Sequence, residues 1–124
     1  MERHLLQGQG GRGSLSDQEA VVDLEQLQQW QIEAQAIHVA EPLLDYLQAL
    51  LLESRSGSGH GLSPRAGLAL LSAAKCWAWL GGRNQVLPED VQAVWPAVAE
   101  HRLGDHAASG VSQAQQILQS VAVP

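Results

Sequence analysis

Ser63-Pro64-Arg65-Ala66-Gly67-Leu68-Ala69-Leu70-Leu71-Ser72-Ala73-Ala74-Lys75-Cys76-Trp77-Ala78-Trp79-Leu80-Gly81-Gly82 reads as one helix with its start and stop signals in place. Ser63 can accept a hydrogen bond from an orphan N–H of the first turn, and Pro64 stands where a missing N–H costs nothing. The glycine pair ends the helix. Between these signals lie mostly Ala and Leu, which lose little side-chain entropy in a helix. Leu70, Ala73, Ala74, Trp77 and Leu80 recur at three- and four-residue spacing and form the expected buried face, with small residues that admit a close neighbour. Trp79 lies two positions beyond Trp77, about 200° further round the axis, so Trp77 is expected buried and Trp79 more exposed.

The same signals recur on both sides. Upstream, Asp23 with Gln26 three residues on caps a helix to Gln35, with Leu24, Leu27, Trp30, Ala34 and Ile37 on one stripe. Ile37-His38-Val39 is short and extended. Pro42 then opens a second helix ending at Ser54 or Arg55, with Leu43, Leu44, Leu47, Leu50 and Leu51 inward. Ser56-Gly57-Ser58-Gly59-His60-Gly61 has neither periodicity nor apolar content and reads as a mobile surface loop. Downstream, Asn84 to Leu87 is extended and Pro88-Glu89-Asp90 starts a fourth helix, its core stripe Val91, Val94, Trp95 and Val98. Pro96 predicts a kink or restart before Leu103. Ser112 with Gln115 caps a last short helix carrying Ala114, Ile117, Leu118 and Val121. The fold class expected is therefore all-α, a bundle of four main helices plus a short C-terminal one.

Composition agrees with a single helical module. The chain has 124 residues, 45% hydrophobic and 16% charged, with aromatics at 4% and no Phe. That is enough apolar side chain for one core, and too few charges for a disordered tail. A formal net charge of -6 with no basic cluster disfavours a phosphate backbone as partner, so no nucleic-acid binding is expected. No stretch reaches the ~18 apolar residues of a membrane span. The lone Cys76, within an apolar run, suits a reducing compartment, and a cytoplasmic location is the expectation.

Enzymatic constellations are weak. His38, His60, His101 and His106 include no pair four apart on one helix, so no metal site is expected. Cys76 lies mid-helix, away from any feature that would activate a thiol. Glu89-Asp90 fits the positive end of a helix dipole better than an acid–base pair. Gly10-Gly11-Arg12-Gly13 lacks the Lys-Ser/Thr of a phosphate loop. Arg65 is different: a permanently charged fork in a first helical turn is placed against the dipole, and that placement calls for an anion. Its alternatives are solvation or a carboxylate such as Glu89. Arg65, Ser72 and Trp79 lie seven apart, with Lys75 one turn from Trp79 and suited to a cation–π pair with it, so this stripe is a candidate interdomain face.

The run Gly61-Leu62-Ser63-Pro64-Arg65-Ala66-Gly67-Leu68-Ala69-Leu70-Leu71, with Ala73-Ala74-Lys75, Gly82-Arg83, Val86-Leu87-Pro88-Glu89-Asp90-Val91 and His101-Arg102-Leu103, resembles the C-terminal lid of MoxR-family AAA+ ATPases. Tyr46-Leu47 through Ser54-Arg55 is similar to that family's preceding lid helix, and Glu2-Arg3-His4-Leu5-Leu6 with Gly8 to the segment joining core to lid. The resemblance implies that Arg65, the Arg of a Ser-Pro-Arg motif, is the second sensor, reaching the γ-phosphate of ATP held in the core. It also implies ATP and magnesium as cofactors of a parent ATPase, and as partners its own AAA+ core, neighbouring subunits of a ring and a client protein remodelled in a chaperone-like way. The sequence contains no phosphate loop, magnesium-binding acidic strand or arginine finger. The chain by itself is thus expected to be a piece of a larger ATPase without catalytic residues or bound cofactor. Two departures from the family pattern stand out: Leu87 replaces a Thr-like cap before Pro-Glu-Asp, and Ala40 replaces a Ser cap. The expected layout is a flexible connector over residues 1–15, a helical lid over 16–104, and a loose tail with a short helix over 105–124. The rival reading is a self-standing helical interaction module docking through Arg65, Ser72, Lys75 and Trp79.

Overall fold

The structure, a computed structural model, describes residues 19–56, 61–103 and 112–124. Its helices are α1 (Leu24–Gln35), α2 (Glu41–Arg55), α3 (Pro64–Leu80), α4 (Pro88–Leu103) and α5 (Gln113–Ser120). The fold is all-α, and among the described residues the extended pairing is one isolated parallel bridge. The chain divides into two units, residues 1–30 and 31–124, and the second holds the packed bundle. The expected connector, the tip of the 56–61 loop and the start of the tail lie outside the described residues.

Helix starts follow the sequence signals. Asp23 accepts from the Gln26 amide at 2.8 Å, Ser63 from the Ala66 amide at 3.1 Å and Ser112 from the Gln115 amide at 3.2 Å. Ala40 starts α2 without a side-chain cap, whereas α4 replaces its missing cap from within. The Asp90 carboxylate accepts from the Leu87 amide at 2.8 Å, the reach-back half of a capping box. At the far end of α3, Gly82 has φ 76°. Arg83 N–H donates to Ala78 O, and Gly82 N–H to Trp79 O, both at 3.0 Å. This is the paired hydrogen bonding of a Schellman ending, whose positive φ suits glycine. The two extended connectors meet in the bridge: His38 N–H donates to Asn84 O at 3.1 Å, and Val86 N–H to His38 O at 2.9 Å.

The core is centred on α3 against α4, with α2 and α5 closing it. Trp95 is fully buried, and its indole Nε1 donates to Ala114 O at 2.6 Å, pinning α5 onto α4. Ser112 Oγ adds a bond to Glu100 at 3.1 Å. Pro96 sits inside an unbroken α4, so the predicted restart does not occur.

Three facing assignments need correction. On α2, Leu44 is exposed, while Tyr46 and Ser54 are buried beside Leu43, Leu47 and Leu50. On α1, Leu24 and Leu27 are exposed and Ala34 is the buried member of the stripe. The largest error concerns α3, whose buried residues are Ala66, Leu70, Ala74 and Ala78. Trp77 is 50% exposed and Leu80 73%, while Trp79 is the half-buried indole, reversing the expected order. Four-residue steps wind about 40° round the axis each time, because four residues exceed one turn of 3.6. The buried row therefore leaves the Leu70–Trp77 line by the last turn, where Ala78 faces in and Trp77 stands aside. Side-chain size misleads here, since close helix packing selects the alanines.

Candidate functional site

The site is built at the start of α3. Ser63 as cap and Pro64 as first residue put Arg65 at the second helical position, where free N–H groups already carry partial positive charge. Arg65 is exposed, and among the described residues its side chain makes no ion pair or hydrogen bond. The alternative partner named above, Glu89, does not hold it. A guanidinium so placed presents five donors to solvent and is electrostatically complementary to an oxyanion.

Immediately before the cap, the chain is fixed to the end of α2. Leu62 is buried, and both of its backbone polar groups are held by consecutive residues of the last turn of α2. Its N–H donates to Ser54 Oγ at 3.0 Å, and its carbonyl accepts from Arg55 Nε at 2.9 Å. Ser54, itself buried, donates a hydrogen bond from its hydroxyl to Leu51 O at 2.6 Å. Gly61 is required by contact rather than torsion: a Cβ there would lie 2.7 Å from Arg55 Cα and 2.9 Å from Arg55 N. One turn into α3, Gly67 lies so close to Leu51 that an added Cβ would come within 2.7 Å of its Cδ1.

The rest of the candidate stripe has different surroundings. Ser72 Oγ accepts from Gln35 Nε2 at 3.0 Å, and Lys75 Nζ donates to Gln35 O at 3.2 Å. Both polar groups are thus engaged with the last residue of α1. Cys76, half-buried, lies with its sulfur 3.7 Å from the same amide nitrogen. Trp79 is half-buried. A groove of about 300 Å³ lies beyond the stripe, lined by Trp77, Leu80, Gly81 and Arg83.

The carboxylate pair at α4 separates into two roles. Glu89 is exposed, whereas Asp90 is buried, capping Leu87 and pairing with Arg83. Asp90 is therefore a structural group. Among the described residues no cluster of three potential metal ligands occurs; His38 and His101 are exposed, and His60 and His106 lie outside those residues.

Sequence reasoning singled out Arg65 and gave Asp90 its structural place at a helix start, but missed Ser54, Arg55 and Arg83. One signal was available: Ser54 continues the Leu43–Leu47–Leu50 stripe, and a small hydroxyl on an apolar stripe must find a local partner.

Comparison with known proteins finds relatives of this chain. A family model described as the AAA lid domain matches residues 54–121. Chaperone MoxR1 of Mycobacterium tuberculosis is 34% identical over 103 residues, covering 69% of this chain and 27% of that protein. Protein MoxR of Methylorubrum extorquens is 49% identical over 43 residues, covering 35% of this chain and 12% of that one. A crystal structure from Cytophaga hutchinsonii, provisionally assigned as an ATPase, superposes with a TM-score of 0.64 at 28% identity. It covers 75% of this chain and 33% of that one. The chain thus spans about a quarter or less of the curated relatives quoted.

Proposed function

Because this chain belongs to the AAA lid domain family and is of the MoxR type, we propose that it acts as the lid of an AAA+ ATPase, with Arg65 as its nucleotide-sensing residue. The observation that carries the reading is the exposed Arg65, without an ion pair among the described residues, in the first turn of a capped helix. A cation held against a helix dipole gains most from an incoming polyanion. ATP with magnesium, bound in an AAA+ core, supplies the phosphoryl group and its charge. Arg65 contributes a planar fork that can engage two oxygens, and through α3 it ties the nucleotide state to the position of the bundle.

In this reading the partners are the chain's own core, neighbouring subunits of a ring and a client protein remodelled by lid movement, in the cytoplasm. The name of the mycobacterial relative, a chaperone, supports the last step. The alternative of a self-standing interaction module relies on the Arg65, Ser72, Lys75 and Trp79 stripe. It is the weaker reading, since Ser72 and Lys75 already satisfy Gln35. Among the described residues no helix is long and apolar enough to cross a membrane.

The test is Arg65→Ala in the ATPase that carries this lid. Steady-state ATP hydrolysis should fall about a hundredfold, as for loss of a preorganised donor at a phosphoryl group, and Arg65→Lys should restore only part of the rate. An unchanged rate with a lowered melting midpoint would make Arg65 a structural residue and end the proposal.

A further inference from the structure

Resting on the sensor reading of Arg65, we propose that Ser54 and Arg55 are positioning residues for it, joining the end of α2 and the start of α3 into one lever. Leu62 is the fixed point. Its backbone N–H and C=O are both taken by α2, and its side chain is buried in the core. Three residues later comes Arg65, with only the Ser63 cap and Pro64 between. Ser63 and Pro64 are set by the helix start itself, so the freedom left to the Arg65 backbone is that of Leu62. A force on the guanidinium enters α3 and, through Leu62, also reaches the last turn of α2 and from there Leu47 and Leu50 in the core.

Three details support a built junction. Ser54 uses both sides of its hydroxyl, donating to Leu51 and accepting from Leu62. The Arg55 Nε–H is used although the side chain lies at the surface, where water could have satisfied it. Gly61 permits an approach to the Arg55 backbone that no other residue could make without shifting the chain. A connector that merely linked two helices would require none of these.

The decisive variant is Arg55→Met, which keeps the apolar stem and removes only the donor to Leu62 O. In the chain itself, the Leu62 and Ala66 amides should exchange hydrogen about tenfold faster, while the amide of Val94 in α4 should not change. In the ATPase carrying this lid, kcat should fall about tenfold, as small misplacements of a catalytic contact do. Combined with Arg65→Ala, Arg55→Met should add nothing, because a positioning residue acts only through the group it positions. Ser54→Ala should repeat the pattern and Ser54→Thr should rescue it. Val86→Ala, buried in the connector beyond the far end of α3, serves as a matched loss of stability and should leave kcat unchanged. A full tenfold further loss on top of Arg65→Ala, or unchanged exchange at Leu62, would overturn the positioning role and leave the sensor intact. No rate effect of Arg65→Ala itself would instead remove the sensor reading beneath it.

Discussion

Each end of α3 carries an arginine, and the two ends treat that residue in opposite ways. Arg65 stands in the first turn, against the helix dipole, exposed and without a carboxylate among the described residues. Arg83 follows the last turn, where a cation is favoured, and pairs with Asp90 in the first turn of α4, where an anion is favoured. At Arg83 both dipole preferences agree; at Arg65 the dipole preference is violated while cap and proline remain in order. Sequences that satisfy their local rules tend to break them where function requires it. The difference separates a residue that holds the lid together from one that the lid presents.

Stability measurements on the chain can break or sharpen that contrast. Arg83→Met leaves the buried Asp90 carboxylate with only the Leu87 amide, and should cost about 3 kcal/mol. That value is at the low end for a broken buried pair, because Arg83 is 38% exposed and its Nε is buried without a partner. Urea titration followed by circular dichroism gives the number, and a loss below half of it would erase the distinction between the ends. Ser63→Ala removes the cap of α3 and should cost about 1 kcal/mol, read in the same titration. Trp77→Ala, which the sequence alone would rank as a core deletion, should cost less than about 1 kcal/mol because the indole is half-exposed. Trp77→Phe should also remove the intrinsic fluorescence most readily quenched by acrylamide, whereas Trp95→Phe should remove a protected component. Arg65→Ala should change stability least, within about 0.5 kcal/mol. A loss comparable to that of Arg83→Met would show that both arginines are structural.

Much of this was readable before any coordinates. Helix limits, the cap residues at positions 23, 63 and 112 and the glycine stop after α3 follow from local chemistry within a few residues, so a single chain reveals them. Arg65 was readable for the same reason, as a violation of a local rule. Which face of α3 is buried was not. That depends on the four-residue row along which α4 crosses it, and the row is occupied by Ala66, Ala74 and Ala78 rather than by the conspicuous indoles. The Leu62 junction was hidden too, since it joins α2 to residues that follow position 60 in the chain. The Arg83–Asp90 pair needed the Schellman turn to bring the two side chains together.

The short pairing of His38 with Asn84 and Val86 has a mechanical consequence. Closing the segment between residues 38 and 86 costs an unfolded chain roughly 3 kcal/mol of loop entropy, so two hydrogen bonds could not hold it shut without the helices packed between them. Once closed, the two extended connectors run parallel at the bridge. Tension entering the chain ahead of His38 loads both bonds together, in shear, instead of peeling them one at a time. A pull on that side of the bundle thus reaches the junction of α3 and α4 through Asn84 and Val86 as well as α2 along the chain.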